Sequence, residues 1–345
     1  KAIMNLLAGR LSDVYGRKHV LTAGWVVAIP IPFMILVAPN WNWIVAATLL
    51  LGVNQGLCWS MTINSKLDLA RLNQKGLVNG INEFSGYAAV AIAGVITAYI
   101  VNLFGAREGL FIFGSIVILI GLSMSIFSIK ETIPWAKLHH AGVTSTPKKS
   151  LAQLFVQASW KDKVLLSLNQ AGLIEKFADA IVWIFLPVFF LSKGLSLVEG
   201  SAIIFVYALT WGASQLITGP LSDKIGRKLL IVGGMWICGF GLLSIPYTNS
   251  VFLWTLEAGI IGIGMAMLYP TLGAAVADFS PAETRGTLLG IYRFWRDFGY
   301  AVAALTLGII TQWTQALTSP FLLACIALIL SGTYVLVVLP SNKNE

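Results

Sequence analysis

The sequence predicts an all-α protein that crosses a lipid bilayer many times. Of its 345 residues, 57% are hydrophobic and only 11% are charged, and the mean hydropathy is +0.80. A soluble domain carries about 25% charged residues, so this chain lacks the polar side chains that cover a surface in water. Apolar runs of about 20 residues, the length that crosses a bilayer as a helix, recur along the whole chain.

Ten complete helices are predicted from these runs and from the Pro, Gly and Asn residues that separate them. These runs are too long for the strands of a membrane barrel and do not alternate polar with apolar residues. Barrel strands need only about 10 residues each and show that alternation, so a barrel is excluded. The predicted ranges are 20–38, 43–62, 76–101, 109–129, 168–191, 199–218, 229–246, 251–276, 286–311 and 318–339. Residues 2–8 resemble the end of another apolar helix, so we expect a fragment that lacks its true N-terminus.

A polar, basic segment at 130–167 is predicted to be a cytoplasmic linker between an N-terminal bundle, 1–129, and a C-terminal bundle, 168–345. Alternate connections carry 17 Lys and Arg residues, whereas the opposite set carries only Arg107 and Lys193. By the positive-inside rule the basic set is cytoplasmic. We therefore expect an integral protein of the cytoplasmic (inner) membrane with its C-terminus in the cytoplasm.

Several classes of protein are excluded by where the charged and reactive residues lie. The net charge is +8, but the basic residues occupy short connections between helices, so no nucleic-acid partner is expected. The three Cys residues lie in apolar segments and the three His residues in connections. Because no ligand spacing and no catalytic constellation occur within the predicted helices, we expect no metal, no cofactor and no enzymatic activity.

One charged decapeptide occurs twice, as GRLSDVYGRK at 9–18 and as GPLSDKIGRK at 219–228. Seven of the ten positions are identical, and the offset is 210 residues. Further residues match at the same offset: Gly52 with Gly262, Asp68 with Asp278, Lys75-Gly76 with Arg285-Gly286, and Gly80-Ile81 with Gly290-Ile291. The chain is therefore predicted to contain two parallel halves, an arrangement of transporters that places the substrate site at the midplane between the halves.

Each residue type in the decapeptide has a local physical role. Gly9 and Gly219 allow neighbouring helices to approach closely, and Gly16 and Gly226 permit a tight turn with positive φ. Asp13 and Asp223 are expected either to accept backbone N–H groups at a helix start or to pair with the Arg of the motif.

The duplicated motif resembles the signature loop of the major facilitator superfamily, which joins helices two and three and recurs between helices eight and nine. The resemblance implies a twelve-helix bundle of six plus six with a pseudo-twofold repeat, from which the first helix and most of the second are missing here. It also implies that Asp13 bridges to the cytoplasmic end of helix eleven and latches the outward-facing state. The alternative is a pair of basic turns that only set topology. The motif positions are Gly9, Asp13, Gly16, Arg17, Lys18, Gly219, Asp223, Gly226, Arg227 and Lys228.

Ionisable residues inside predicted spanning helices are candidates for function because they are costly in lipid. Glu83 and Asp179 are the candidate proton carriers, with a static salt bridge as the alternative for Glu83. Glu175 and Lys176 are expected near the interface with their ends in water. Arg293 and Asp297 are i,i+4 neighbours, which leaves Arg296 for an anionic substrate or a carboxylate on another helix. The alternative is a purely structural role for all three residues. Candidate cavity residues are Asn54, Gln55, Asn79, Asn82, Lys176, Trp183, Gln215, Arg293, Arg296 and Asp297.

These observations predict a secondary active transporter that moves a small molecule or ion by alternating access. We expect it to be coupled to an ion gradient, with protons as the ion, and to act as a monomer embedded in lipid. Many proton-linked relatives carry an Arg four residues before the Gly of a Gln-Gly pair, whereas here the pair is Gln55-Gly56 and that position is Gly52. No helix-five motif of drug antiporters is present. The alternative is a receptor or assembly scaffold that keeps this fold but does not transport.

Overall fold

The computed structural model describes residues 1–71, 74–138 and 150–340. These residues are almost entirely helical, and none of them lies in a strand. Part of the predicted linker, with Lys148 and Lys149, and the C-terminal tail lie outside the described residues.

The first part of the chain forms helices separated by short breaks. These are α1 (Ala2–Tyr15), α2 (Arg17–Ala28), α3 (Pro30–Leu36), α4 (Trp41–Leu69), α5 (Lys75–Phe104) and α6 (Ala106–Phe127), followed by two short helices, α7 (Ile133–Leu138) and α8 (Leu151–Val156). The side chain of Asn40 accepts a hydrogen bond from the backbone N–H of Asn42, which satisfies one of the unpaired N–H groups at the start of α4.

The second part begins with a π-helical segment, Gln157–Lys161, and continues into longer helices. These are α9 (Lys163–Ala180), a second π-helical segment (Ile181–Phe185), α10 (Leu186–Ser192), α11 (Leu197–Ile225), α12 (Arg227–Ser244), α13 (Val251–Asp278), α14 (Arg285–Thr314) and α15 (Ser319–Val338). Ser196 and Glu199 form a capping box at the start of α11. Each side chain accepts a hydrogen bond from the backbone N–H of the other residue, which stabilises the first turn of this helix.

All ten predicted helical ranges are helical in the structure, with two internal breaks. The range 20–38 is divided between α2 and α3 at Pro30, and the range 168–191 is divided by the π-helical segment before Pro187. Proline has no backbone N–H to donate, so it interrupts the hydrogen bonding of the preceding turn.

The helices that precede the two motif turns are longer than the sequence predicts. The α1 helix continues to Tyr15 and α11 continues to Ile225, with Pro220 inside α11. The first seven residues of each decapeptide are therefore helical, and the turn itself is reduced to one glycine, Gly16 or Gly226.

Seven helical segments within the described ranges are long enough and apolar enough to cross a membrane. They are Arg17–Leu36, Trp41–Leu69, Ala106–Phe127, Glu199–Ile225, Arg227–Tyr247, Val251–Asp278 and Ser319–Val338. With these spans and the helical fold, the chain is an integral membrane protein.

The described chain forms two compact units. Unit 1 contains Lys1–Ala70, Ser85–Leu154 and Ser280–Phe294, and unit 2 contains Arg71–Phe84, Phe155–Phe279 and Trp295–Glu345. In unit 1, a core of Ala8, Val20, Leu21, Leu57 and Met61 lies among α1, α2 and α4. In unit 2, α13 packs closely on α12. The helices are so near that an added Cβ on Gly234 would lie only 2.7 Å from the carbonyl oxygen of Gly264.

Candidate functional site

The first motif turn, in unit 1, is fixed by a carboxylate from the segment after α6. Gly16 has a φ of 99°, a conformation that L side chains rarely adopt. Glu131 Oε1 accepts hydrogen bonds from the backbone N–H groups of Arg17 (3.0 Å), Thr132 (2.9 Å) and Ile133 (3.1 Å). Its Oε2 accepts from the N–H of Lys18 at 3.2 Å. Glu131 therefore places a negative charge at the N-terminus of α2, where it is favourable.

The ionisation of Glu131 reflects these contacts. Partial burial acts to raise the pKa of this carboxyl, but the four backbone N–H groups outweigh burial and lower its pKa below the usual value. Hydrogen bonds to the charged form of a carboxyl have this effect. Glu131 could not be identified from the sequence, because the two partners that connect it to the motif, the N–H groups of Arg17 and Lys18, lie 114 and 113 positions away.

Asp13, at the end of α1, contacts the first turn of α14. Its Oδ2 accepts hydrogen bonds from the Thr287 backbone N–H at 2.8 Å and from the Thr287 hydroxyl at 2.6 Å. Arg17 Nη1 donates to Asp13 Oδ1 at 3.1 Å. The same two helices approach closely, because a Cβ on Gly9 would overlap the carbonyl oxygen of Gly286.

Two basic residues converge on Asp68, at the end of α4. Arg17 Nε donates to Asp68 Oδ2 at 2.8 Å, and Arg285 Nη1 lies 3.9 Å from Oδ1. The hydroxyl of Thr132 donates to the same carboxylate at 3.0 Å. Asp68 and both Arg side chains are buried, so this set is a desolvated ion network rather than a surface salt bridge.

The second motif repeats this geometry in unit 2. Asp223 accepts hydrogen bonds from the backbone N–H groups of Gly76 (2.9 Å) and Leu77 (2.8 Å), in the first turn of α5. Arg227 Nη2 lies 2.6 Å from Asp223 Oδ1. A Cβ on Gly219 would lie 2.6 Å from the carbonyl oxygen of Gly76.

The ion network is repeated as well. Asp278 Oδ2 accepts from Arg227 Nε at 3.1 Å, and Asp278 Oδ1 accepts from Lys75 Nζ at 2.9 Å. Lys75 and Arg285 are matched at the offset of 210, as are Asp278 and Asp68. The two basic residues were not assigned a role from the sequence, although the common offset was the signal that could have found them.

A second polar cluster, also in unit 2, surrounds Lys176 of α9. The Lys176 ammonium donates to Asp179 Oδ2 at 2.8 Å and to the Tyr269 hydroxyl at 3.2 Å. Asp179 also accepts from the hydroxyls of Tyr207 at 2.6 Å and Tyr300 at 2.7 Å. The carboxylate of Asp179 is thus held by three donors, which stabilises its negative charge.

Glu175 lies beside this pair with a different environment. Neither of its carboxylate oxygens has a hydrogen-bond partner within the described ranges. Lys176 Nζ is 3.4 Å and Arg296 Nε is 4.0 Å from Glu175 Oε1. Glu175 and Lys176 are 0% exposed, so the expectation that their ends reach water is wrong. Near Glu175 the helix α9 packs closely on α14, and an added Cβ on Gly299 of α14 would overlap the carbonyl oxygen of Leu173 in α9.

Arg296 completes the cluster from α14. Its Nε lies 3.7 Å from Asp297 Oδ1, and its guanidinium carbon lies 4.4 Å from the centre of the Tyr269 ring. Arg296 therefore has a carboxylate on another helix within reach, Glu175 of α9. Arg293, which belongs to unit 1, is also buried.

The remaining candidate cavity residues have different environments. Asn79 donates to the carbonyl oxygen of Pro270 at 2.6 Å, and Asn82 donates to Glu83 Oε1 at 3.2 Å. Asn54, in unit 1, donates to the carbonyl oxygen of Gly24 at 3.0 Å. Gln215 is fully buried, whereas Gln55 and Trp183 are exposed.

No group of three His, Cys, Asp or Glu side chains in the described part of the chain could hold a metal ion. The site consists instead of duplicated helix-end contacts and a buried cluster of ions and tyrosines within a bundle of spanning helices. These features define a membrane transporter with an internal repeat. The sequence profile of the Major Facilitator Superfamily matches residues 1–174 and again residues 168–345, so the chain belongs to this family of membrane transporters.

Individual relatives are distant but cover most of the chain. An uncharacterized MFS-type transporter of Salmonella typhimurium is 23% identical over 343 residues, which span 95% of this chain and 81% of the relative. The proton-coupled antiporter flippase LtaA of Staphylococcus aureus is 24% identical over 343 residues, spanning 96% and 81%. The crystal structure of the human organic anion transporter TETRAN superposes with a TM-score of 0.77 at 17% identity, covering 97% of this chain and 80% of that one.

Proposed function

We propose that this protein is a secondary active transporter that carries a small solute across the membrane by alternating access and couples the movement to a proton gradient. Residues 1–129 and 168–345 are the two moving halves in this proposal, with 130–167 as the cytoplasmic linker. The protein acts as a monomer in the cytoplasmic membrane, with its C-terminus in the cytoplasm.

The observation that carries the proposal is the pair of equivalent helix-end contacts. Asp13 of the first half accepts from Thr287 of the second, and Asp223 of the second half accepts from Gly76 and Leu77 of the first. Hydrogen bonds from backbone N–H groups to a carboxylate are strong. A small number of them can stabilise one conformation of a transporter and still break when the conformation changes. They support a latch that closes the cytoplasmic ends in the outward-facing state and opens during transport.

Proton coupling is supported by the buried acids and by one relative, since LtaA is named as a proton-coupled antiporter. Glu83 and Asp179 are the proposed carriers, and both are buried. Because Asp179 accepts three hydrogen bonds, it takes up a proton only when Lys176 moves away. Glu83 accepts from the Asn82 amide, which is a neutral donor.

The test uses the purified full chain in proteoliposomes that contain a pH-sensitive dye. A panel of neutral, anionic and cationic metabolites is added outside, and a transported solute is expected to change the internal pH. Glu83→Gln or Asp179→Asn should abolish this coupled proton movement. Glu257→Gln, a change at another buried acid, is the matched control and should preserve it.

Two results would contradict the proposal in different ways. Full coupled proton movement in both Glu83→Gln and Asp179→Asn would show that neither residue is the carrier. If no solute moved protons, while solutes still bound to the purified chain, a receptor or scaffold would replace the transporter.

A further inference from the structure

A cavity of about 460 Å³ lies in unit 1 between α2, the end of α4 and the segment that follows α6. Small-molecule sites have volumes of about 300–1,000 Å³, so this cavity is large enough to hold a ligand. Its walls are mainly apolar. The lining residues are Leu21, Thr62, Ser65, Lys66, Leu69, Ser128, Ile129, Lys130, Glu131, Thr132 and Trp135.

The cavity lies where two spanning helices end. Its α4 residues, 62–69, are the last residues of the span Trp41–Leu69, and its opposite wall begins directly after the span Ala106–Phe127. Large apolar side chains are exposed here, since Leu69 is 51%, Trp135 48% and Phe127 85% exposed. Tryptophan is typical of the boundary between lipid and water. The cavity is therefore accessible from the edge of the bilayer.

The exposed rim of the cavity is basic. Lys66 and Lys130 line it with exposed side chains. Lys18 adds a third positive charge nearby, since its Nζ donates to the carbonyl oxygen of Ile126 at 2.8 Å, in the last turn of α6. Glu131 is the one acid among the described lining residues, and its carboxylate already accepts four backbone N–H groups. A positive rim of this kind attracts an anionic group.

We propose that this cavity binds an anionic phospholipid of the bilayer. The phosphate lies at Lys66 and Lys130, and part of one acyl chain lies against Leu21, Leu69 and Ile129. A phospholipid of this kind matches both features of the cavity, because basic residues at a membrane surface attract anionic headgroups and apolar walls favour a hydrocarbon chain. A soluble phosphate would leave the apolar walls uncovered, and a zwitterionic lipid has no net charge for the lysines to attract.

The test measures lipid binding to the purified full chain in detergent by native mass spectrometry. Dioleoyl phosphatidylglycerol and dioleoyl phosphatidylcholine, which have the same acyl chains, are added at equal concentrations. Phosphatidylglycerol should bind at least about tenfold more tightly, because two lysines attract its net negative charge. The double variant Lys66→Gln and Lys130→Gln should lose this preference. The matched control, Lys161→Gln with Lys163→Gln at two exposed lysines outside the cavity, should keep it.

A second measurement locates the lipid on the native chain and so does not depend on how the variants fold. Phosphatidylglycerol with a photoreactive diazirine in one acyl chain is added to the purified protein and illuminated. Labelling is expected within residues 62–69 and 128–135, which form the two main walls of the cavity. An excess of unlabelled phosphatidylglycerol should prevent this labelling, and the same excess of phosphatidylcholine should not.

Several results would overturn the inference. They are equal binding of the two lipids, an equal loss of preference in the control pair, and labelling confined to other parts of the chain. Displacement of the lipid by glycerol 3-phosphate would assign the site to a soluble phosphate, and tighter binding of oleate would assign it to a fatty acid. None of these measurements requires solute flux, so the lipid site and the proposed transport can fail independently.

Discussion

The carboxylate of Asp13 accepts hydrogen bonds from both the backbone N–H and the hydroxyl of Thr287, at 2.8 and 2.6 Å, in the first turn of α14. The first N–H groups of a helix have no partner within the helix, and the helix dipole is positive at that end. One carboxylate therefore satisfies a backbone donor and compensates the dipole. Asp223 does the same at the first turn of α5 through Gly76 and Leu77.

Removing either carboxylate should loosen one helix start and not the other. A hydrogen bond to a charged group contributes about 1.5–3 kcal/mol. Asp13→Ala should therefore speed amide exchange about tenfold or more around Thr287, whereas Asp223→Ala should do so around Gly76 and Leu77. Hydrogen–deuterium exchange with mass spectrometry measures both helix starts in one experiment, and each variant is the control for the other. Equal changes at both helix starts in each variant would indicate general destabilisation and contradict the pairing.

The close approach at Gly9 gives a prediction about packing. A Cβ at this position would overlap the carbonyl oxygen of Gly286 and lie 2.9 Å from the Cα of Gly290. Because backbone atoms cannot move aside cheaply, Gly9→Ala should destabilise the protein by about 1–3 kcal/mol. Gly212→Ala is the matched control, since nothing lies within 4 Å of its added Cβ. Thermal unfolding in detergent measures both variants, and an equal melting temperature for Gly9→Ala and the native chain would contradict the close contact.

The Glu131 carboxylate should make stability depend on pH. Because its pKa in the folded protein is lowered, the group stabilises the fold above its unfolded pKa of about 4.3. This stabilisation is lost as the pH falls through the folded pKa. Glu131→Gln should lower the melting temperature by about 2–4 °C near neutral pH, and the difference from the native chain should shrink in acid. Glu283→Gln, at an exposed acid, is the control and should leave the melting temperature unchanged both near neutral pH and in acid. If Glu131→Gln still melted below the native chain at low pH, this account would be contradicted.

The sequence predicted the helices well because their signals are local. Apolar length and the residues that end a helix place α12 and α13 within two residues of the predicted ranges. The two motif turns were predicted for the same reason. Glycine, aspartate and arginine at a fixed spacing can be recognised from the sequence alone, without knowledge of the fold. The breaks at Pro30 and before Pro187 are local signals too, but a proline inside an apolar run can also be accommodated in one helix, as Pro220 is in α11.

The partners of the charged residues could not be predicted in the same way. Glu131 and Thr287 contact the first motif across 114 and 274 positions, and no periodicity relates such distant residues. Glu175 and Lys176 were expected near water because their place in the sequence suggested a helix end. Their burial is caused by α13 and α14, which bring Tyr269, Arg296 and Tyr300 over this part of α9.

The ion pair of Lys176 with Asp179 should be strongly coupled in stability. Both side chains are fully buried and 2.8 Å apart. Lys176→Met alone leaves an uncompensated carboxylate, which costs about 3–5 kcal/mol. Asp179→Asn alone leaves the ammonium with the looser Glu175 contact at 3.4 Å, so its cost should be smaller. The double variant should be more stable than the sum of the two single effects predicts, by about 1–3 kcal/mol. Thermal unfolding of the four proteins in detergent completes the cycle, and additive effects would show that the pair does not act as a unit.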